Sequence, residues 1–152
     1  MRQAFVRRSI LGFGLCGVAS ALLLSSRSQA ATIQFKAELM GSSEVPPNTT
    51  TGAGTVTATY DPATKELSWK GTYSGLTGDA TAAHFHGPSE PGKNAGVAIW
   101  ISIKGSPLPS SFEGRSTLTD AEDTDLKSGL WYVNIHTAAN PGGELRGQLM
   151  KA

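Results

Sequence analysis

The sequence predicts an all-β protein: a single Greek-key sandwich or barrel of about eight antiparallel strands, with one short helical turn. Three observations lead to this fold class. Apolar and polar residues alternate with a period of two along several short segments, turn-forming residues separate those segments, and 39% of the 152 residues are apolar. This apolar content is typical of a globular domain with one core.

The strand candidates follow from alternation, because successive side chains of a strand point to opposite faces of its sheet. Residues predicted to face the core are Ile33, Phe35, Ala37 and Leu39; Leu67, Trp69, Gly71 and Tyr73; Val97, Ile99, Ile101 and Ile103; Trp131, Val133 and Ile135; and Leu145, Gly147 and Leu149. Less regular strand candidates cover residues 53–60, 81–86 and 112–118.

Turn and helix signals lie between these segments. Asp61-Pro62-Ala63-Thr64 and Asn140-Pro141-Gly142-Gly143 favour tight turns, and residues 89–96 read as a longer polar loop. Thr119 with Glu122 three residues later has the spacing of a capping box, and Gly129 is placed to end the helical turn.

Residues 1–30 have the features of a signal peptide and are set aside from the fold. Three arginines and no acid precede an apolar run over residues 10–24, and Ser28-Gln29-Ala30 suits cleavage after Ala30. Arg7-Arg8-Ser9-Ile10-Leu11 resembles a twin-arginine export signal; an ordinary secretory signal with adjacent arginines is the alternative. We therefore expect a β-domain over residues 31–152, periplasmic or secreted, with no membrane span after cleavage.

Removal of the signal changes the charge and the cysteine content. Four of the 13 basic residues leave with it, so nine face 12 acidic residues and the formal net charge is −3. A mildly acidic domain argues against nucleic acid as a partner. The sole cysteine, Cys16, also leaves, so the domain must fold without a disulfide.

The three histidines of the chain are the strongest candidates for a functional site. In His84-Phe85-His86, alternation sends both imidazoles to one face and Phe85 into the core, which makes a competent bidentate metal clamp. His136 points outward with Tyr132 and Asn134, and joins the other two if its strand neighbours theirs. Three imidazoles without a thiolate favour copper, strongest as Cu(II), over zinc. The alternative is a hydrogen-bonding network that fixes the loop at Gly87-Pro88.

Three further polar residues could support such a site. Either Glu44 or Glu144 could orient the second nitrogen of a histidine, and Asn134 lies on the same face. For either carboxylate the favoured alternative is that it satisfies loop amides or pairs with Arg146, and a surface pair with Glu144 is the role expected for Arg146. Trp100 lies on the face opposite Ile99 and Ile101, which predicts an exposed indole.

Five segments together form a recognisable set: Phe35-Lys36-Ala37-Glu38-Leu39, Ser43-Glu44-Val45-Pro46-Pro47, Ala83-His84-Phe85-His86-Gly87-Pro88, Tyr132-Val133-Asn134-Ile135-His136-Thr137 and the segment from Pro141 to Leu149. In these segments the chain resembles the CHRD domain family, the module also repeated in chordin. The resemblance implies an extracellular protein-binding context and supplies no reaction.

The chain is more weakly similar to copper/zinc superoxide dismutase, whose Greek-key fold also carries a His-x-His strand and a later histidine. By that similarity His84, His86 and His136 would be copper ligands, and Arg146 would match an anion-guiding arginine. The chain lacks a fourth histidine and, after residue 30, any cysteine, which argues against a zinc subsite of that type.

Two functions therefore stand as hypotheses. The first is an exported domain that binds a transition metal, copper favoured, for copper handling or redox chemistry; if it is an enzyme at all, a superoxide dismutase-like activity is the chemistry expected. The second is a non-enzymatic interaction module of the cell envelope that binds a protein partner without metal, with an exposed patch at Trp100. No catalytic residue is assigned.

Overall fold

The computed structural model describes residues 31–103 and 106–152. The predicted signal peptide, residues 1–30, lies outside the described residues and stays a prediction. Within the described part of the chain, no helix is long and apolar enough to cross a membrane.

The described residues form nine strands, one helix and a 3₁₀ turn. In chain order these are β1 (Ile33–Met40), the 3₁₀ turn (Gly41–Ser43), β2 (Ala53–Asp61), β3 (Glu66–Ser74), β4 (Ala80–His86), β5 (Val97–Trp100), β6 (Ser111–Thr117), α1 (Asp120–Lys127), β7 (Tyr132–Thr137), β8 (Leu145–Gln148) and β9 (Met150–Lys151).

All strand pairs are antiparallel and form one sheet in the order β5-β4-β7-β8-β1-β2-β3-β6, with the short β9 beside β1. The sheet curls into a nearly closed barrel, in which the segment before β6 connects β4 with β3, the strands next to the two edges. The amide of Leu108 donates to the carbonyl oxygen of Ala80 on β4 (3.0 Å), and the hydroxyl of Tyr73 on β3 donates to the carbonyl oxygen of Leu108 (2.5 Å). The predicted all-β fold class is confirmed.

The core consists of the inward-facing residues of the alternating rows. Phe35, Leu67, Phe85, Val133 and Ile135 are each at most 1% exposed. The rings of Trp69 and Phe85 meet edge to face at 5.1 Å, which joins opposite parts of the barrel.

The row from Val97 to Ile103 departs from the prediction. β5 ends at Trp100, and Ile103 is 79% exposed. The amides of Ile101 and Ser102 both donate to the carbonyl oxygen of Ala83, so the chain leaves the strand ladder at that point. A bulge between Phe85 and His86 shifts the register, and alternation alone does not reveal such a shift.

The helix begins where the sequence predicts it. Thr119 and Glu122 form both bonds of a capping box, and Gly129, with a φ of 74°, follows the helix end. The helix runs for eight residues rather than a single turn, and it buries Leu126 against the barrel.

Candidate metal centre

The register between β4 and β7 brings the three histidines to one face of the sheet. His84 lies opposite Asn134, His86 lies opposite Tyr132, and His136 lies opposite Ala82. His136 is therefore the diagonal neighbour of His84, within reach of a ring on the same face. Neighbouring strands and a shared face are what the sequence analysis required of a three-histidine cluster.

The rings converge closely. His84 Nδ1 lies 3.1 Å from His136 Nε2, and one ligand nitrogen from each of the three residues lies within 4.8 Å of the others. His84 and His86 are buried, with 6% and 9% of their surface exposed, and His136 is half-buried. These three side chains form a group that could hold a metal ion.

Backbone carbonyls orient two of the rings. His86 Nδ1 lies 3.0 Å from the carbonyl oxygen of Ala95, and His136 Nδ1 lies 3.0 Å from that of Pro141. A carbonyl oxygen can only accept, so each Nδ1 carries the proton and donates it. The Nε2 atoms of both neutral rings therefore present lone pairs, which is the form that binds a metal.

His84 occupies the centre of the group. It lies between His136 on one side and the ring of Trp100 on the other, whose centroid is 4.2 Å away at an interplanar angle of 85°. Its Nε2 and the Nε2 of His86 are buried and have no hydrogen-bond partner among the described residues. Buried polar atoms without partners are rare in proteins, and of these two atoms the Nε2 of His86 has a lone pair available to a ligand.

The electrostatic setting keeps all three rings neutral. Burial, together with the smaller effects of the neighbouring His136 and His86, which disfavour a second positive charge, lowers the pKa of His84 to about 4. Burial also lowers the pKa of His86 and of His136, although carbonyl hydrogen bonds oppose this effect. Neutral imidazoles at neutral pH are ready to bind a cation without first losing a proton.

The separation of the closest pair fits a chelated ion. Two imidazole nitrogens at about 2.0 Å from one metal and 3.1 Å from each other subtend an angle of about 100°, close to tetrahedral. The nitrogen of His86 lies within 4.8 Å of the other two ligand atoms.

Neither carboxylate proposed as a support contacts the rings. Glu144 is fully buried and accepts hydrogen bonds from the hydroxyls of Thr50, Thr77 and Thr137, the amide of Thr77 and the side chain of Asn140. Burial by itself would raise the pKa of Glu144, but these donors together hold it at about 2. Through these hydrogen bonds, Glu144 connects three loops.

Glu44 and Asn134 contact each other at the edge of the same face. Asn134 Nδ2 donates to Glu44 Oε1 at 2.5 Å and to the carbonyl oxygen of Leu145 at 3.0 Å. Burial raises the pKa of Glu44 to about 7, against the opposing effects of the Asn134 bond and the Arg146 charge. Asn134 is adjacent to His84 across the ladder, but its amide is used by Glu44.

The predicted surface pair between Glu144 and Arg146 is wrong. Arg146 is 2% exposed, and it donates to Asn94 Oδ1 (2.8 Å) and to the carbonyl oxygen of Lys93. Its guanidinium carbon lies 3.6 Å from the centroid of the Tyr132 ring. The loop before β5 covers this face, so residues that alternation places outside are buried.

Sequence reasoning missed the groups that orient the rings. The carbonyls of Ala95 and Pro141 carry no side-chain signal, although both belong to the turn-rich segments predicted near the histidines. The prediction placed Tyr132 on the correct face but gave it no role. Its ring stacks on that of His86 with a centroid distance of 4.9 Å and an interplanar angle of 4°.

Comparison with known proteins gives one family. A model of the CHRD domain matches residues 35–149, a range that includes all three histidines, Glu44, Asn134 and Glu144. No curated protein and no solved structure matches the chain.

Proposed function

Because the chain belongs to the CHRD domain family, whose setting is extracellular, we propose that it is an exported module that binds a transition-metal ion, copper favoured, through His84, His86 and His136. Export rests on the signal-peptide features of residues 1–30. The periplasm or the outside of the cell is the compartment in which this protein would meet the ion.

The metal proposal depends on one observation: the ring nitrogens around His84 have too few protons to satisfy one another. The Nε2 atoms of His86 and His136 have no proton, because their Nδ1 atoms donate to carbonyls. A neutral His84 has one proton for two buried nitrogens. If Nδ1 holds it, Nε2 stays unsatisfied; if Nε2 holds it, two lone pairs face each other at 3.1 Å.

A second proton on His84, or a metal ion between the rings, would remove the facing lone pairs. A second proton is disfavoured, because burial lowers the pKa of His84 to about 4. A metal ion bound to His84 Nδ1, His86 Nε2 and His136 Nε2 uses all three lone pairs and leaves the proton of His84 on Nε2. Copper is favoured over zinc by the usual order of affinities at nitrogen ligands.

We propose binding, for storage or transfer of the ion, rather than turnover. The dismutase similarity matched Arg146 to an anion-guiding arginine, but this side chain is 2% exposed and its guanidinium is held by Asn94 and Lys93. A buried guanidinium cannot meet an anion arriving from solvent.

The test is copper titration of protein purified after expression of the full chain. Copper is supplied as Cu(II) and, with ascorbate under argon, as Cu(I). We expect one equivalent to bind wild type and the exposed-site control Glu113→Gln, and binding to be lost in a His84→Ala, His86→Ala double variant. Equal affinity in wild type and the double variant would remove the proposal.

A second candidate is an interaction module that binds a protein partner without metal. It is favoured by the apolar side chains near the β5 edge, since Val97, Trp100 and Ile103 are 44%, 43% and 79% exposed. Exposed apolar groups on an edge strand are suited to pairing with another chain. Metal analysis of protein purified from the periplasm separates the two candidates, because this one predicts no tightly bound metal.

A further inference from the structure

A buried positive charge lies beside the histidine group. The guanidinium carbon of Arg146 lies 3.6 Å from the centroid of the Tyr132 ring, and the ring of His86 is parallel to that of Tyr132 with a centroid distance of 4.9 Å. The charge is therefore no more than about 8.5 Å from the centroid of the His86 ring, and all three side chains are buried. Stacking of a guanidinium on an aromatic face is a favourable arrangement for arginine.

No carboxylate of the described residues forms a hydrogen bond or an ion pair with this guanidinium. Arg146 donates to the side-chain oxygen of Asn94 and to the carbonyl of Lys93, which are neutral, and none of the ion pairs formed by the described residues includes it. Glu44 feels the charge, but its carboxyl is bonded to Asn134 and its pKa is raised to about 7, so it is partly neutral at that pH. Glu144 is occupied by threonines.

The ligands add no negative charge either. The group contains three imidazoles, which are neutral, and no carboxylate or cysteine of the described residues belongs to it. A bound ion would thus keep its whole charge in a buried position, next to a fixed cation. Because Coulomb repulsion grows with the charge of the ion, a divalent ion is penalised twice as much as a monovalent one.

We propose that this site selects copper in the monovalent state, and that Arg146 is the residue that disfavours divalent ions. The inference rests on the proposed metal function. The inference also narrows the proposed function from copper in general to Cu(I). Cu(II) is favoured by the general order of divalent affinities, but at this site it is the more weakly bound of the two copper ions. Cu(I) has a filled d shell and accepts three nitrogen ligands without a further anion. Arg146 acts through the electric field and touches no metal, so it is a specificity residue.

The test compares two charge variants. Affinity for Cu(I) is measured under argon by competition with a chromogenic Cu(I) chelator, and affinity for Zn(II), a divalent ion without redox chemistry, by competition with a zinc dye. Arg146→Gln removes the charge and keeps a hydrogen-bond donor. Arg146→Lys keeps the charge and is the matched control. Far-UV circular dichroism and thermal unfolding establish that each variant is folded.

In wild type we expect Cu(I) to bind more tightly than Zn(II), and one equivalent of Cu(I) to displace Zn(II). In Arg146→Gln, the ratio of the zinc Kd to the Cu(I) Kd should fall about tenfold to thirtyfold, as one charge at about 8 Å and an effective dielectric constant of about 20 predicts. In Arg146→Lys it should stay within about threefold of wild type.

Three results would overturn the inference: an unchanged ratio in Arg146→Gln, an equal fall in both variants, or tighter zinc than Cu(I) binding in wild type. The wild-type displacement experiment decides the selectivity even if the variants do not fold. Failure of wild type to bind either ion would instead overturn the proposed function itself.

Discussion

His84 Nδ1 and His136 Nε2 lie 3.1 Å apart although 52 residues separate them in the chain, and β4 and β7 hold this contact. Each residue faces another partner directly across the ladder: His84 faces Asn134, and His136 faces Ala82. The small side chain of Ala82 leaves the space through which the ring of His136 reaches His84. The diagonal pairing therefore sets the geometry of the centre.

The ligand atom of His84 is the first prediction. The rings of His84 and Trp100 meet at 4.2 Å and an interplanar angle of 85°, and we expect Nε2–H of His84 to point to the indole while Nδ1 binds the metal. ¹⁵N NMR of the zinc-loaded protein should show a protonated Nε2 in His84 and protonated Nδ1 atoms in His86 and His136. A metal-bound Nε2 in His84 would contradict this arrangement.

A matched pair of variants tests the part played by the indole. Trp100→Phe keeps an aromatic face and should preserve the NMR pattern and the metal affinity within about threefold. Trp100→Leu removes the face, so we expect about tenfold weaker binding, the equivalent of roughly 1.4 kcal/mol. Equal affinities in the two variants would show that the indole does not fix the ring of His84.

The stability of the metal-free protein should depend on the protonation of His84. Its pKa is about 4 in the folded protein and 6.5 in the unfolded chain, so the unfolded chain binds more protons between these values. Stability is then lost as the pH falls from about 7 to 4, by up to about 3 kcal/mol from this residue. Urea unfolding at several pH values, with a chelator present, measures the loss.

The protonation of Glu44 changes the stability with pH in the opposite direction to that of His84. The comparison of variants is therefore more informative than the pH dependence of the wild-type stability alone. The pKa of Glu44 is raised from 4.5 to about 7, so its contribution is present below pH 4.5 and is lost as the pH rises through 7. Compared with wild type, His84→Gln should lose less stability on acidification, and Glu44→Gln should gain stability at neutral pH relative to low pH. If His84→Gln shows the wild-type slope, the pKa of His84 is not depressed.

Glu144 should be one of the most sensitive positions of the domain. Its buried carboxylate accepts from the hydroxyls of Thr50 and Thr77 in two loops and of Thr137 at the end of β7, and glutamine would leave some of these donors unpaired. We expect Glu144→Gln to lower the free energy of unfolding by about 3–5 kcal/mol, and Glu113→Gln, at an exposed position, to change it by less than about 0.5 kcal/mol. Urea denaturation at neutral pH measures both.

The low pKa of Glu144 adds a dependence on acid. Because that pKa is about 2 in the folded protein and 4.5 in the unfolded chain, its stabilising effect is complete above pH 4.5 and is lost as the pH falls toward 2. The Glu144→Gln variant should lack this part of the acid sensitivity. Parallel acid titrations of the stability of the two proteins test this assignment. An equal loss of stability between pH 4.5 and 2 in both would show that Glu144 does not contribute to the acid sensitivity.

Adjacent glycines offer a test of close packing beside the site. Gly143 has a φ of 133°, and a methyl group there would collide with the side chains of Asn134 and Glu44. Gly142 has open space around the same position. We expect Gly143→Ala to destabilise by about 2–4 kcal/mol and Gly142→Ala by less than about 1 kcal/mol, measured by thermal or urea unfolding. Similar values for both would contradict the packing.

Several features followed from the sequence by itself: the all-β class, the inward rows other than that from Val97 to Ile103, the capping box at Thr119 and the common face of His84 and His86. Alternation and turn chemistry are local, and a strand's faces are fixed by its own residues. Only the tertiary structure decided which strands are neighbours and which outer faces are covered. Arg146 and Glu144 became buried because the loops of residues 87–96 and 48–50 fold over positions that alternation marks as exposed, and the carbonyls of Ala95 and Pro141 reach the rings through that same folding. Such coverage depends on contacts between residues distant in the chain, for which a periodic pattern holds no information.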